Sequence, residues 1–154
     1  MKLSLILALA LLGAVSASQH RKSWCPHSHG SRHDSEPRLW LPHSFPFSPQ
    51  RLCYRCYRGR LASIHSYSIN ARLHRVACSR TNRGEVWLGG KTFYRFRHVR
   101  YHWVDKSHWN YSNWAPGNPH IYWIYGKMCV ALSNSDGQWK NVNCNTHLPF
   151  ICKS

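Results

Sequence analysis

Short apolar runs separated by polar, arginine-rich stretches set the rhythm of this chain. The first run, Leu3 to Val15, follows Met1-Lys2 and ends at Val15-Ser16-Ala17, a small-residue cleavage site. It is too short to span a bilayer and has the flanks of a secretory signal peptide covering residues 1–17. Residues 18–50 are rich in Ser, Pro and His without apolar periodicity, which predicts a disordered segment. From residue 51 the pattern changes. Arg51 to Arg60 interleaves cysteine, tyrosine and arginine and reads as the end of a helix, with Gly59 at its left-handed C-terminal position. Leu61-Ala62-Ser63-Ile64 reads as a buried strand entry. Between Ser68 and Cys78, Ile69, Leu73 and Val76 recur at spacings of 4 and 3, predicting an amphipathic helix with Arg72, His74 and Arg75 in water. Glu85 to Gly90 predicts a buried central strand, and residues 91–104 alternate in strand fashion, with Phe93, Phe96 and Val99 among Arg95, Arg97, His98 and Arg100. A loop full of Trp and Asn follows. Cys129 to Leu132 and Phe150 to Cys152 then read as strands on either side of a polar segment with the turn signal Asp136-Gly137.

Charge adds what periodicity does not. With Lys2 removed along with the leader, 20 Lys and Arg face 5 Asp and Glu, a net +15 before histidine. Such an imbalance attracts polyanions and opposes compactness through self-repulsion. Fourteen of the chain's cations are Arg and seven Lys, which favours bidentate grip on sulfate, phosphate or carboxylate. Residues 51–100 hold twelve Lys and Arg and one acid, Glu85. Eight Trp and eight Tyr supply large side chains for a core of one ordinary domain, residues 51–154. After the leader no stretch is long and apolar enough for a membrane helix, so the chain from about Ser18 reads as secreted, where disulfides are permitted.

Several motifs recur in a known order. Cys53-Tyr-Arg-Cys56-Tyr-Arg-Gly-Arg-Leu-Ala-Ser-Ile-His65 is followed by Val86-Trp87-Leu88-Gly89-Gly90, Trp103-Val104-Asp105, Trp109 to Gly117, Cys129-Val-Ala-Leu132 and Leu148-Pro149-Phe150-Ile151-Cys152. The ordered set, across residues 53–152, resembles the C-type lectin-like family, and within it the branch of eosinophil major basic protein. The resemblance implies an α+β fold of small, mixed, mainly antiparallel sheets, two helices and a long loop region. It also implies disulfides Cys53–Cys152 and Cys129–Cys144, the latter closing a loop of about 15 residues worth roughly 3 kcal/mol. Little before Cys53 matches the family's first strand and first helix, so both are expected to be largely missing, leaving a sheet edge open. The branch carries an acidic pro-segment; here only Asp34 and Glu36 stand in that region. Cys25, Cys56 and Cys78 remain: two pair and one is left for an intermolecular bond, or all are free and buried. A zinc site on Cys53-x-x-Cys56 is the competing reading.

Sugar-binding members of the family hold Ca2+ with a Glu-Pro-Asn or Gln-Pro-Asp triplet and a Trp-Asn-Asp triplet. The matching positions here read Asn118-Pro119-His120 and Trp139-Lys140-Asn141, which lose an acid and gain a cation. A hard cation needs several oxygen ligands, so no cofactor or metal is expected, and Pro119 is expected to be cis by family likeness. The function that remains is binding of sulfated glycosaminoglycans, heparin or heparan sulfate, by Arg55, Arg58, Arg60, Arg95, Arg97, Arg100, Lys106 and Lys140, independently of calcium and in a host-defence setting. The alternatives are a membrane-disrupting antimicrobial protein acting on anionic surfaces, to which the resemblance adds storage in granules, and a calcium-dependent sugar-binding lectin. No specific nucleic acid is implied, and the sequence does not fix the oligomeric state. Catalysis is not expected, since there are few acids to orient a base and no nucleophile motif such as Gly-x-Ser-x-Gly. Two lesser features complete the reading. Cleavage after Ala17 would leave His20 third from a free amine, an arrangement suited to Cu(II) or Ni(II), with solvated histidines as the plainer reading. Asn110-Tyr111-Ser112 is an N-glycosylation acceptor, in a loop where the resemblance tends to bury the asparagine.

Overall fold

The computed structural model describes residues 38–40, 48–95, 98–120 and 127–154. Strand β1 is Arg38–Trp40, helix α1 Pro49–Tyr57, β2 Arg60–Leu61, helix α2 Tyr67–Arg80, β3 Glu85–Arg95, β4 His98–Trp103, β5 Met128–Ser133, β6 Trp139–Asn143 and β7 Phe150–Lys153. The described strands form one sheet in the order β1-β7-β3-β5-β6, with β2 also on β7 and β4 on β3. Trp87 and Phe150 pair in parallel; every other ladder is antiparallel.

The apolar runs are strands buried on both faces. Successive side chains of a strand point to opposite sides. In β3, β5 and β7 this sends Val86, Leu88, Val130, Leu132 and Ile151 to one side, with Ile64, Leu73, Ala77, Trp103 and Trp139. Trp87, Ala131, Phe150 and Cys152 go to the other, with Leu52, Cys53 and Leu61. Helix α2 therefore covers one face and α1 the other. Cys53 is bonded to Cys152 and Cys129 to Cys144.

Pro49 opens α1, where its missing N–H costs nothing and its fixed φ suits a helix. Ser66 caps α2, its hydroxyl accepting from the Ile69 N–H at 3.3 Å. Four local expectations change. A first strand is present: β1 pairs with β7 through Arg38–Cys152, Leu39–Ile151 and Trp40–Phe150, so part of 18–50 is ordered and that edge is covered. Three residues in a Pro- and Ser-rich background are too few to show as periodicity. The left-handed residue ending α1 is Arg58, at φ 52°, and not Gly59. Gly59 is needed for another reason: a Cβ there would run into the Lys153 carbonyl, because the chain passes directly onto β7. On α2 the buried positions are Asn70, Leu73 and Ala77, while Ile69 is exposed. His74 is not in open water but meets the Asn134 carbonyl with its Nε2 at 2.9 Å.

Asn70 explains its own burial. Its Oδ1 accepts from the Trp139 indole N–H at 2.7 Å, and its Nδ2 donates to the Gly137 carbonyl at 2.9 Å. The same carbonyl accepts from Asn113 Nδ2 at 2.8 Å. These amides tie α2 and the long loop to the β5–β6 turn. Asn70→Ala strands a buried indole N–H and is expected to cost about 2–3 kcal/mol. Asn113→Ala leaves Gly137 one donor and costs about 1 kcal/mol. Denaturant midpoints check the order; equal losses would contradict it.

Candidate functional site

Strands β3 and β4 form a ribbon beyond the rest of the sheet. Its cross-strand pairs include Lys91–His102 and Phe93–Arg100 on one face and Thr92–Tyr101 on the other, with Tyr94–Val99 and Arg95–His98 next in register. Lys91 also pairs with Cys129, which packs beside α1. The Lys91 face is therefore the α1 side of the sheet. Lys91, Phe93, His98, Arg100 and His102 are all exposed there. Phe93 shares this outward face: 43 % of its surface is exposed, and its ring meets His102 edge-on with centroids 5.4 Å apart.

Helix α1 adds to this face. Leu52 and Cys53 are its buried positions, so Arg51, Tyr54, Arg55 and Arg58 fall on its outer side and are exposed. Arg60 links helix and ribbon: its Nη1 donates to the Val104 carbonyl at 3.3 Å. Lys106, exposed at φ 67°, follows two residues later, its N–H donating to the Trp103 carbonyl at 3.0 Å. Of the sequence-predicted set, the fold thus brings Arg55, Arg58, Arg60 and Arg100 to one side of the sheet, with Arg95 in register on β3 and Lys106 exposed in the turn after β4. Arg97 and His20 lie outside the described residues. Lys140 is less available than expected, because its ammonium pairs with Glu85 at 3.0 Å. Lys91 escaped the sequence reading, which ended the central strand at Gly90. Counting β3 in twos past that glycine would have found it. The glycines are there for close approach: a Cβ on Gly89 would crowd the Leu61 carbonyl, and one on Gly90 would meet Val130 and Trp103.

The long loop lies across the sheet from this face. Trp103 and Trp109 stack with centroids 4.3 Å apart, and Trp139 meets both edge-on. The Asn118–Pro119 bond is cis. Asn141, paired with Val130, turns to this side; its Oδ1 accepts from the His120 N–H at 2.8 Å and its Nδ2 donates to the His120 carbonyl at 2.7 Å. Asn118 Oδ1 accepts from the Asn141 N–H at 3.4 Å. The amide oxygens at the positions matching the family's calcium triplets thus already hold the loop to β6. No carboxylate joins them, and Lys140 stands next in chain. These residues do not fit a Ca2+ ion, which takes six to eight oxygens. Among the described residues no three His, Cys, Asp or Glu come together as metal ligands. Cys53-x-x-Cys56 is not a zinc site, since both sulfurs are in disulfides. Cys78 is the free, exposed thiol among the described residues.

One buried polar knot secures the end of the chain. Asp105 Oδ2 pairs with Lys153 at 2.8 Å and accepts from the Ser63 hydroxyl at 2.6 Å, while Oδ1 accepts from the Ser107 hydroxyl at 2.6 Å and its N–H at 3.0 Å. Burial alone would push the Asp105 carboxyl up, but the hydrogen bonds from Lys153, Ser107 and Ser63 outweigh it and hold the group well below the usual carboxylate range. His65 bridges Ser63 and Asn110, at 3.0 and 2.7 Å. The Ser63 proton is directed at Asp105 and its oxygen also takes the Lys153 ammonium, so the Ser63–His65 pair is a structural knot, not a nucleophile and base. Asn110 itself is exposed, contrary to the buried placement expected. A depressed folded-state pKa contributes stability above the unfolded value near 4, lost as pH falls through the folded value. Asp105→Asn is expected to cost about 2 kcal/mol at pH 7 and to flatten the fall in stability below about pH 4. Melting temperatures across pH check this; an unchanged acid slope would contradict it.

Comparison with known proteins agrees with this architecture. The family model for the lectin C-type domain matches residues 48–154. Human bone marrow proteoglycan is 45 % identical over 100 residues, covering 65 % of this chain and 43 % of that protein. Eosinophil granule major basic protein 2 of Cavia porcellus is 39 % identical over 114 residues, 74 % of this chain and 47 % of that protein. The chain spans less than half the length of these curated relatives. Human lithostathine superposes with a TM-score of 0.59 at 29 % identity, covering 68 % of this chain and 79 % of that one. With two helices on a mixed sheet, a Trp-rich long loop and the two disulfides that staple them, the chain belongs to the lectin C-type domain family.

Proposed function

We infer that this domain binds sulfated glycosaminoglycans, heparin and heparan sulfate among them, on the α1 side of its sheet and without calcium. The observation that carries this is the convergence of Arg58, Arg60, Lys91 and Arg100 on that side, while the carboxylates of Glu85 and Asp105 are occupied by Lys140 and Lys153. A sulfated chain is a regular polyanion, and cations at strand and helix spacing match it by ion pairing and counterion release. The names of the relatives, proteoglycans and granule basic proteins, suit a secreted host-defence protein, with residues 1–17 as leader and the stretch from 18 to β1 as the tail before the domain. No reaction is assigned.

A second reading rests on Tyr54 and Phe93, exposed at 67 % and 43 % among these cations. Aromatic rings in a basic surface suit the interface of an anionic membrane, so the same face would disrupt bacterial surfaces. Titration of a heparin oligosaccharide in EDTA and in Ca2+, beside dye leakage from phosphatidylglycerol vesicles, separates the readings. Equal heparin affinity with and without Ca2+, and no leakage, supports the glycosaminoglycan reading. Leakage without heparin binding supports the membrane reading, and binding abolished by EDTA overturns the calcium-free one.

A further inference from the structure

We propose that the β3–β4 ribbon is an acid-strengthened polyanion grip, in which His98 and His102 take up protons as a sulfated chain binds. The proposal rests on the glycosaminoglycan reading and adds its regulation. Among the described strands β4 pairs only with β3 and is an outer strand. His98, Arg100 and His102 alternate along it, so all three share the outward face, and all three are exposed. Across the ribbon His98 stands opposite Arg95 and His102 opposite Lys91. Among the described residues Lys127, exposed two residues ahead of Cys129 on the neighbouring strand, is in step with this face, and Arg58 and Arg60 stand on the same side of the sheet. None of these neighbours is a carboxylate, and Phe93 supplies an apolar edge against His102.

Imidazole is the side chain whose charge changes between about pH 5 and 8. In the free protein, a proton on the His102 ring places a like charge directly opposite Lys91, an unfavourable cross-strand pair, and one on His98 adds to the charge of Arg100 on the same outward face. A sulfated chain along the ribbon reverses that sign. Protonation and polyanion binding therefore reinforce each other, and by linkage each raises the affinity for the other. The ribbon would hold sulfated chains loosely at neutral pH and firmly in an acidic compartment or inflamed tissue.

The test is binding of fluorescein-labelled heparin to the full chain at pH 7.5 and 5.5, at one ionic strength. The wild type is expected to bind about tenfold more tightly at pH 5.5. His98→Gln/His102→Gln should lose most of that ratio, whereas the exposed pair His108→Gln/His147→Gln, outside β3 and β4, should keep it. Histidine proton resonances of the wild type should show titration of His98 and His102 moving to higher pH when heparin is added. Thermal melts confirm that each variant is folded. A ribbon variant that keeps the wild-type ratio, or a wild type that binds equally at both pH values, overturns the proposal and leaves the polyanion face standing. Absence of heparin binding at either pH removes the underlying reading as well.

Discussion

Replacing Cys53 and Cys152 by alanine is expected to abolish a cooperative unfolding transition at 37 °C. The bond joins residues 99 positions apart, so it closes almost the whole domain. In the chain-entropy account a loop of about 100 residues is worth about 4.7 kcal/mol, against about 5–15 kcal/mol for a domain's whole stability. The site makes the loss worse. Both cysteines are buried in the cluster beneath α1, and β7 is the strand on which β1, β2 and β3 all pair. Cys129→Ala/Cys144→Ala should be milder, about 3 kcal/mol, because that bond spans 15 positions and closes the β5–β6 end alone. Calorimetry of the two variants measures both effects. A sharp wild-type-like transition in the Cys53/Cys152 variant would show that the sheet holds without its long-range tie.

Reversing four charges on the α1 side, Arg58→Glu, Arg60→Glu, Lys91→Glu and Arg100→Glu, is expected to weaken heparin binding at least about 100-fold near physiological salt. Each lost contact also removes about one unit from the slope of log affinity against log salt, so the slope falls by about four. The contrast that matters is with the other side of the sheet, where α2 and the turn after it are also basic. Arg75→Glu, Arg80→Glu and Arg83→Glu change net charge by a similar amount but lie on the α2 side, and are expected to cost less than about fivefold. If both sets weaken binding alike, the grip is a property of net charge and not of a face. Arg60 also donates to Val104, so a melting curve must show the fourfold variant folded before its affinity is read.

Strand spacing made much of the fold legible. Val86-Trp87-Leu88 and Val130-Ala131-Leu132 read as buried runs because their strands are covered on both faces, and periodicity carries that directly. Asp136-Gly137 marked the β5–β6 turn, where Gly137 does take φ 70°. What stayed hidden was long-range. Three residues of β1 gain their strand character from β7, and nothing in Arg38-Leu39-Trp40 alone requires it. Asn70 occupies a buried position on α2 that an apolar pattern would give to Ile69, and only the Trp139 indole in space explains the choice. The cations were visible as a count; their sidedness was not. Arg100 comes to the same face as Lys91 because β4 returns beside β3 with Arg100 opposite Phe93 and His102 opposite Lys91, and Lys91 joins only when Gly89-Gly90 is read as a place of close approach within one strand. Lys140 looked equivalent to the others until Glu85, 55 positions away, was found beside it.

The most direct test of the binding face is residue-resolved. Backbone amide shifts of the 15N-labelled protein, recorded in EDTA with a heparin hexasaccharide, locate the bound chain without any substitution. The largest changes are predicted at Arg58, Arg60, Lys91, Phe93, Arg100 and His102, with little at Asn118 to His120 or along α2. Changes centred on the Asn118–Asn141 clamp, or spread evenly over both sides of the sheet, would contradict the account.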